Sequence, residues 1–159
     1  MLERIHTNLE RQNKALTLLF ALLQEEFTLL RDRQAQEVSR VEFSIQELLR
    51  QIAAERSTLR ELVAQVKPGA KRLAALLPDL PPDEAKALSD ALRLADRGEQ
   101  ACAIQAEKNT IMAQALAEQS RSLLDYLHKE IQPKQTNTYS GRGRYASHRP
   151  EASILQRRS

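Results

Sequence analysis

From Met1 to Lys67 the chain contains neither a proline nor a glycine, and from Asp83 to Ile131 it contains no proline and one glycine, Gly98. Two such uninterrupted stretches confine the backbone to long helices, because tight turns and sheet corners depend on those two residue types. Apolar side chains fall on them at alternating steps of three and four. The first series is Ile5, Leu9, Leu16, Leu19, Leu23 and Leu30, with Gln12 and Glu26 as polar members. Leu18, Leu22 and Leu29 widen it into a stripe broad enough for more than one neighbour. The second series is Val38, Val41, Ile45, Leu48, Ile52, Leu59, Leu62 and Val66, with Glu55 as its polar member.

The two series are out of phase, and polar RDRQAQE lies between them. This predicts antiparallel helices over about 3–31 and 34–66, with Asp32 capping the second through its side chain. One straight helix through the region is the competing reading, since no glycine or proline marks the turn. Pro68-Gly69 ends the second helix; Leu73, Leu76 and Leu77 fit a short amphipathic helix; and Pro81-Pro82-Asp83-Glu84 opens the third, with proline and acids suited to a first turn. Its seam runs Leu88, Leu92, Ala95, Cys102, Ala106, Asn109, Ala113, Leu116, Ser120, Leu123 and Leu127, through Glu99. The fold class expected is all-α: an antiparallel helical bundle or coiled coil of three long helices with a flexible C-terminal tail, divided as 1–132 and 133–159.

A third helix near 70 Å outruns partners near 45 Å, so about 15 residues, from Leu116 onwards, have no internal partner. Their stripe of Leu116, Leu123, Leu124, Tyr126, Leu127 and Ile131 suits another amphipathic helix. If Gly98 instead breaks the helix into a hairpin, the same stripe is core of a four-helix bundle.

The tail QTNTYSGRGRYASHRP is rich in Gly, Ser, Thr and Asn and reads as an extended, mobile segment. Residues 133–159 hold six cations, Lys134, Arg142, Arg144, Arg149, Arg157 and Arg158, against Glu151, a net +5 within a chain of formal charge +3; residues 1–132 are therefore −2. A slightly acidic helical body without a basic stripe argues against nucleic acid as the partner. No apolar run reaches membrane length, and the acid-bearing start MLERIHTNLERQNK is unlike a signal peptide, so a cytoplasmic protein without membrane insertion is expected. The lone Cys102, in QACAIQA, reads as a small apolar side chain. His6, His128 and His148 lack metal-ligand spacing, GRGR follows no strand, and no nucleophile context is present; the expectation is no catalytic residue, no metal and no cofactor.

The order of LLFALLQEEFTLL, then RDRQAQEVSRVEFSIQELLRQIAAERSTLREL, a proline-broken segment, CAIQAEKNTIMAQALAEQSRSLLDYL and a tail with TYSGRGR resembles the FlgN family of flagellar export chaperones. The more specific marks are Arg56 in AAERSTL, Asn109 in the last helix, and the tail element. The resemblance implies a cytoplasmic chaperone, a monomer or weak dimer, that holds flagellar hook-associated proteins by their C-terminal helical region. It blocks their premature self-association and delivers them to the cytosolic domain of the flagellar export gate. Carried over by position, it implies Asn109, Met112, Leu116, Leu123 and Leu127 as the substrate face and Tyr139 as the export-gate anchor. Met112 and Leu116 read equally as plain bundle core. A self-associating coiled-coil adaptor is the alternative from another class.

Overall fold

The structure, a computed structural model, describes residues 1–131 and the backbone of 137–139 and 145–147. Three long helices dominate it: α1 (Leu2–Arg31), α2 (Ala35–Val66) and α3 (Pro82–Ile131). α3 passes through Gly98 unbroken, so the four-helix alternative is overturned.

The α1–α2 turn shows how this chain reverses without glycine or proline. Arg33 adopts φ 57°, its N–H donates to the Leu30 carbonyl, and the Gln34 N–H donates to that of Leu29. These are the paired bonds of a Schellman ending, with arginine where glycine is usual. The expected Asp32 cap is corrected here. Asp32 is the C-cap that follows α1, its carboxylate accepting from Arg31, while Gln34 precedes α2 and makes no side-chain cap.

α2 stops in a turn where the Ala70 N–H donates to the Lys67 carbonyl across Pro68 and Gly69, whose φ of 89° only glycine adopts without strain. The expected short amphipathic helix is instead two 3₁₀ turns, Leu73–Ala75 and Leu77–Asp79. Pro78 explains the second break, since its ring cannot continue an α-helical bond pattern. Lys67 ties the connector to the end of α2, its Nζ donating to the Ala75 carbonyl and pairing with Asp79 at 2.6 Å. Pro82 then occupies the first position of α3, where its missing N–H costs nothing.

Residues 1–115 form a compact unit with two apolar clusters. One joins Leu16, Leu19 and Leu23 to Val41, Ile45, Leu48 and Ile52, with Ala95 and Cys102 from α3. The other joins Ile5 and Leu9 to Leu62, Val63, Leu73, Leu76 and Leu88. On α2 the inward residue at this end is fully buried Val63, while Val66 is 37% exposed, because the connector Leu residues cover the turn before it.

Between the clusters lie the seam positions Gln12 and Glu55, and each has a partner. Asn8 is wholly buried and donates to the Glu55 backbone carbonyl and carboxylate, Gln12 donates to Asn8, and Arg11 pairs with Glu55 at 3.2 Å. Arg56 pairs with Glu99 across α2 and α3. Sliding any helix by a turn would leave these groups unsatisfied, so the layer selects one alignment. Gly98 sits where α1 and α3 come close: a Cβ there would lie 3.3 Å from that of Leu16.

Leu116 opens a second unit, containing the last turns of α3 and two short antiparallel strands, β1 (Asn137–Tyr139) and β2 (Tyr145–Ser147), with Tyr139 opposite Tyr145. The remainder of the tail, including the expected mobility, lies outside the described residues.

Candidate functional site

Every seventh residue along the first two-thirds of α3, Leu88, Ala95, Cys102 and Asn109, is buried. Leu116 continues the repeat but is only partly buried, and from Ala117 to Ile131 every residue is exposed. Leu123 is 58% exposed, Leu127 38% and Ile131 69%; Leu124 and Tyr126 are bare as well. At 100° per residue, Leu116, Leu123, Leu127, Ile131 and Leu124 share one side of the helix. The seam that packs the bundle therefore continues in phase as a solvent-facing apolar stripe.

The five residues assigned to the substrate face take three different environments. Asn109 is buried and lies against α1: its Nδ2 donates to the Leu23 carbonyl at 2.8 Å and to the Glu26 carboxylate, while Gln105 donates to its Oδ1 at 3.0 Å. Met112 and Leu116 are half-buried, and Leu123 and Leu127 face solvent. Tyr139 lies on β1, on a different element from the other five, and its side chain is outside the described residues.

Asn109 also explains the polar member Glu26 of the first seam, whose partner periodicity alone could not reveal. Asn109→Ala is expected to lower the unfolding free energy by about 1–3 kcal/mol, since it removes two inter-helix bonds and leaves a part-buried carboxylate unpaired. Urea titration checks this; an unchanged midpoint would remove Asn109 from the account of how α1 and α3 align.

Cys102 donates its thiol to the Leu16 carbonyl at 3.5 Å. Burial, and after it the charge of Glu99, raises the thiol pKa above its ordinary value, so Cys102 stays protonated near neutrality and serves as packing. Among the described residues no group of three or more His, Cys, Asp or Glu could hold a metal ion, and no helix is long and apolar enough to cross a membrane.

These features define a helical-bundle protein in which, among the described residues, one amphipathic stripe of the longest helix is exposed. Residues 1–147 match the family described as FlgN protein, and the chain belongs to that family. FlgN proteins are flagellar export chaperones, a chaperone rather than an enzyme family. No curated protein and no solved structure matches the chain.

Proposed function

We propose that the exposed stripe of α3 captures the C-terminal helical region of hook-associated proteins in the cytoplasm and keeps it from self-associating until it reaches the flagellar export gate. The observation behind this reading is the run of exposed apolar residues, Leu123, Leu124, Leu127 and Ile131, in phase with a packed seam. Each leucine taken out of water by a cargo helix contributes about 1.5–3 kcal/mol, so four such contacts hold a helix without nucleotide or cofactor. Leu116 and Met112 form the bundle-side margin of this face. Asn109 supports it indirectly, by fixing α3 against α1. Tyr139, with the basic residues of the tail, anchors the loaded chaperone on the cytosolic domain of the gate.

Leu123→Asp with Leu127→Asp tests the capture step. Both side chains are exposed, so far-UV helicity and the melting transition stay as they were, while co-purification with a hook-associated protein is lost. Retained capture by the double variant would sink the assignment. A homo-oligomer that the same substitutions dissolve, with no effect on cargo, would support the self-associating adaptor instead.

A further inference from the structure

Residues 1–115 carry a second open surface, remote in sequence from the exposed stripe. Between α2 and α3 runs a groove crossed by the Arg56–Glu99 ion pair, with a hollow on each side of it. One, about 370 Å³, lies over Leu16, Leu19, Ile52 and Cys102. The other, about 360 Å³, presents half-buried Leu59 and Leu92, with the buried core residues Val63 and Leu73 also lining it. Its rim is cationic: Arg60 from α2, and Lys71 and Arg72 from the connector, join Arg56 against Asp96 and Glu99, four cations and two acids, for a net +2.

Three cations from two elements converge on this one hollow. Some cations on the helices are neutralised by acids one turn away, as in Arg40 with Glu37, Arg50 with Glu47 and Arg93 with Asp90. Arg60, Lys71 and Arg72 have no hydrogen-bond or ion-pair partner among the described residues, and Glu99 is already engaged by Arg56. Like charges brought together from two elements repel one another, and an incoming anion relieves that repulsion.

We propose that this groove binds an acidic amphipathic helix of a partner protein, with its apolar side chains over Leu59 and Leu92 and its carboxylates on Arg60, Lys71 and Arg72. The walls are two long antiparallel helices, between which a third helix packs ridge into groove. The apolar lining excludes a free inorganic anion as the natural occupant, and Asp96 and Glu99 on the rim repel the continuous phosphates of a nucleic acid. Arginine and carboxylate meet in two-point contacts that also fix the direction of the incoming helix. This reading stands apart from capture on the α3 stripe, because none of its residues lies beyond Cys102.

The probes are two fluorescein-labelled synthetic peptides with the same leucine stripe, one flanked by Glu and the other by Lys, titrated against the full chain by anisotropy. The Glu peptide is expected to bind and the Lys peptide to fail. Arg60→Glu with Arg72→Glu should weaken the Glu peptide at least about tenfold, and raising the salt should weaken it in the parent chain. Arg60→Gln with Arg72→Gln should shift affinity in the same direction by less, and both positions are exposed, so far-UV helicity should be retained. Leu123→Asp with Leu127→Asp should leave Glu-peptide binding within about twofold, which separates this site from the α3 stripe. Equal binding of both peptides, indifference to the groove variants, or loss in the stripe variant would overturn the proposal. So would a homodimer, seen by sedimentation, that dissociates on Arg60→Glu with Arg72→Glu, because it would assign the groove to a second copy of the chain.

Discussion

Leu76→Ala is expected to lower the unfolding free energy by about 3–4 kcal/mol, a larger loss than any single change on the exposed helix faces should give. The residue lies in a connector, where substitutions are usually tolerated. Here, however, Leu76 is 1% exposed and sits in one cluster with Ile5, Leu9, Leu62, Val63 and Leu88. The connector is the lid of that end of the bundle. Its 3₁₀ turns hold Leu73 and Leu76 on the same side, and the Lys67 bonds to Ala75 and Asp79 fasten the turns to α2. Truncation to alanine loses the transfer term of the missing carbons and leaves a cavity that a wall built of helix ends from three elements cannot collapse. Leu18→Ala is the matched control: that side chain is 53% exposed on α1, alanine is the better helix former, and a change within about 0.5 kcal/mol is expected. Urea denaturation of both variants decides the matter. A loss below about 1 kcal/mol at Leu76 would mean that the connector opens independently of the bundle.

Much of the fold was legible because helical periodicity depends on local sequence alone. The seams predict α1, α2 and α3 with ends at most two residues from those observed, and Gly98, the candidate break, lies inside an unbroken α3 at a point of close approach to Leu16. What periodicity could not show is how the polar residues in the seams are satisfied. Gln12, Glu26, Glu55 and Glu99 look like flaws when each helix is read by itself. Their partners, Asn8, Asn109 and Arg56, lie on the same or another helix and are paired by tertiary alignment. The turn at Asp32 was legible but how it is made was not, since nothing in RDRQ announces that Arg33 will take a left-handed conformation; the two helices must first pack to compensate for it. At the site, the exposed stripe was readable from helix lengths, because one long helix cannot be covered by two shorter ones. The inward orientation of Asn109 was not, since a polar residue on a seam is equally consistent with a buried bond and with a ligand contact.

Removing residues 132–159 is expected to leave the bundle and cargo capture intact and to abolish most secretion of the cargo. Both apolar clusters draw their buried residues from within 1–115, so the truncated chain should unfold within about 0.5 kcal/mol of the parent and hold a hook-associated protein with affinity unchanged within about twofold. Docking on the gate is the step that should fail, if the tail anchors the loaded chaperone as proposed. A single buried aromatic can dominate a small interface, so Tyr139→Ala alone should weaken binding to the gate's cytosolic domain by a factor of about 30, equivalent to about 2 kcal/mol. On the same proposal, the arginines of the tail are expected to act differently. Exposed cations speed encounter with an acidic face and lose that effect as salt rises, whereas an aromatic anchor governs how long the complex lasts. Cutting after Ser147, where the family match also ends, keeps Tyr139 and removes Arg149, Arg157 and Arg158 with Glu151, a net +2 of the tail's +5. That shorter truncation should slow association at low ionic strength and leave dissociation nearly unchanged. Surface plasmon resonance at two salt concentrations reads both rates. Equal loss of cargo and gate binding in the long truncation, or a faster dissociation in the short one than in Tyr139→Ala, would overturn the separation of holding and anchoring between α3 and the tail.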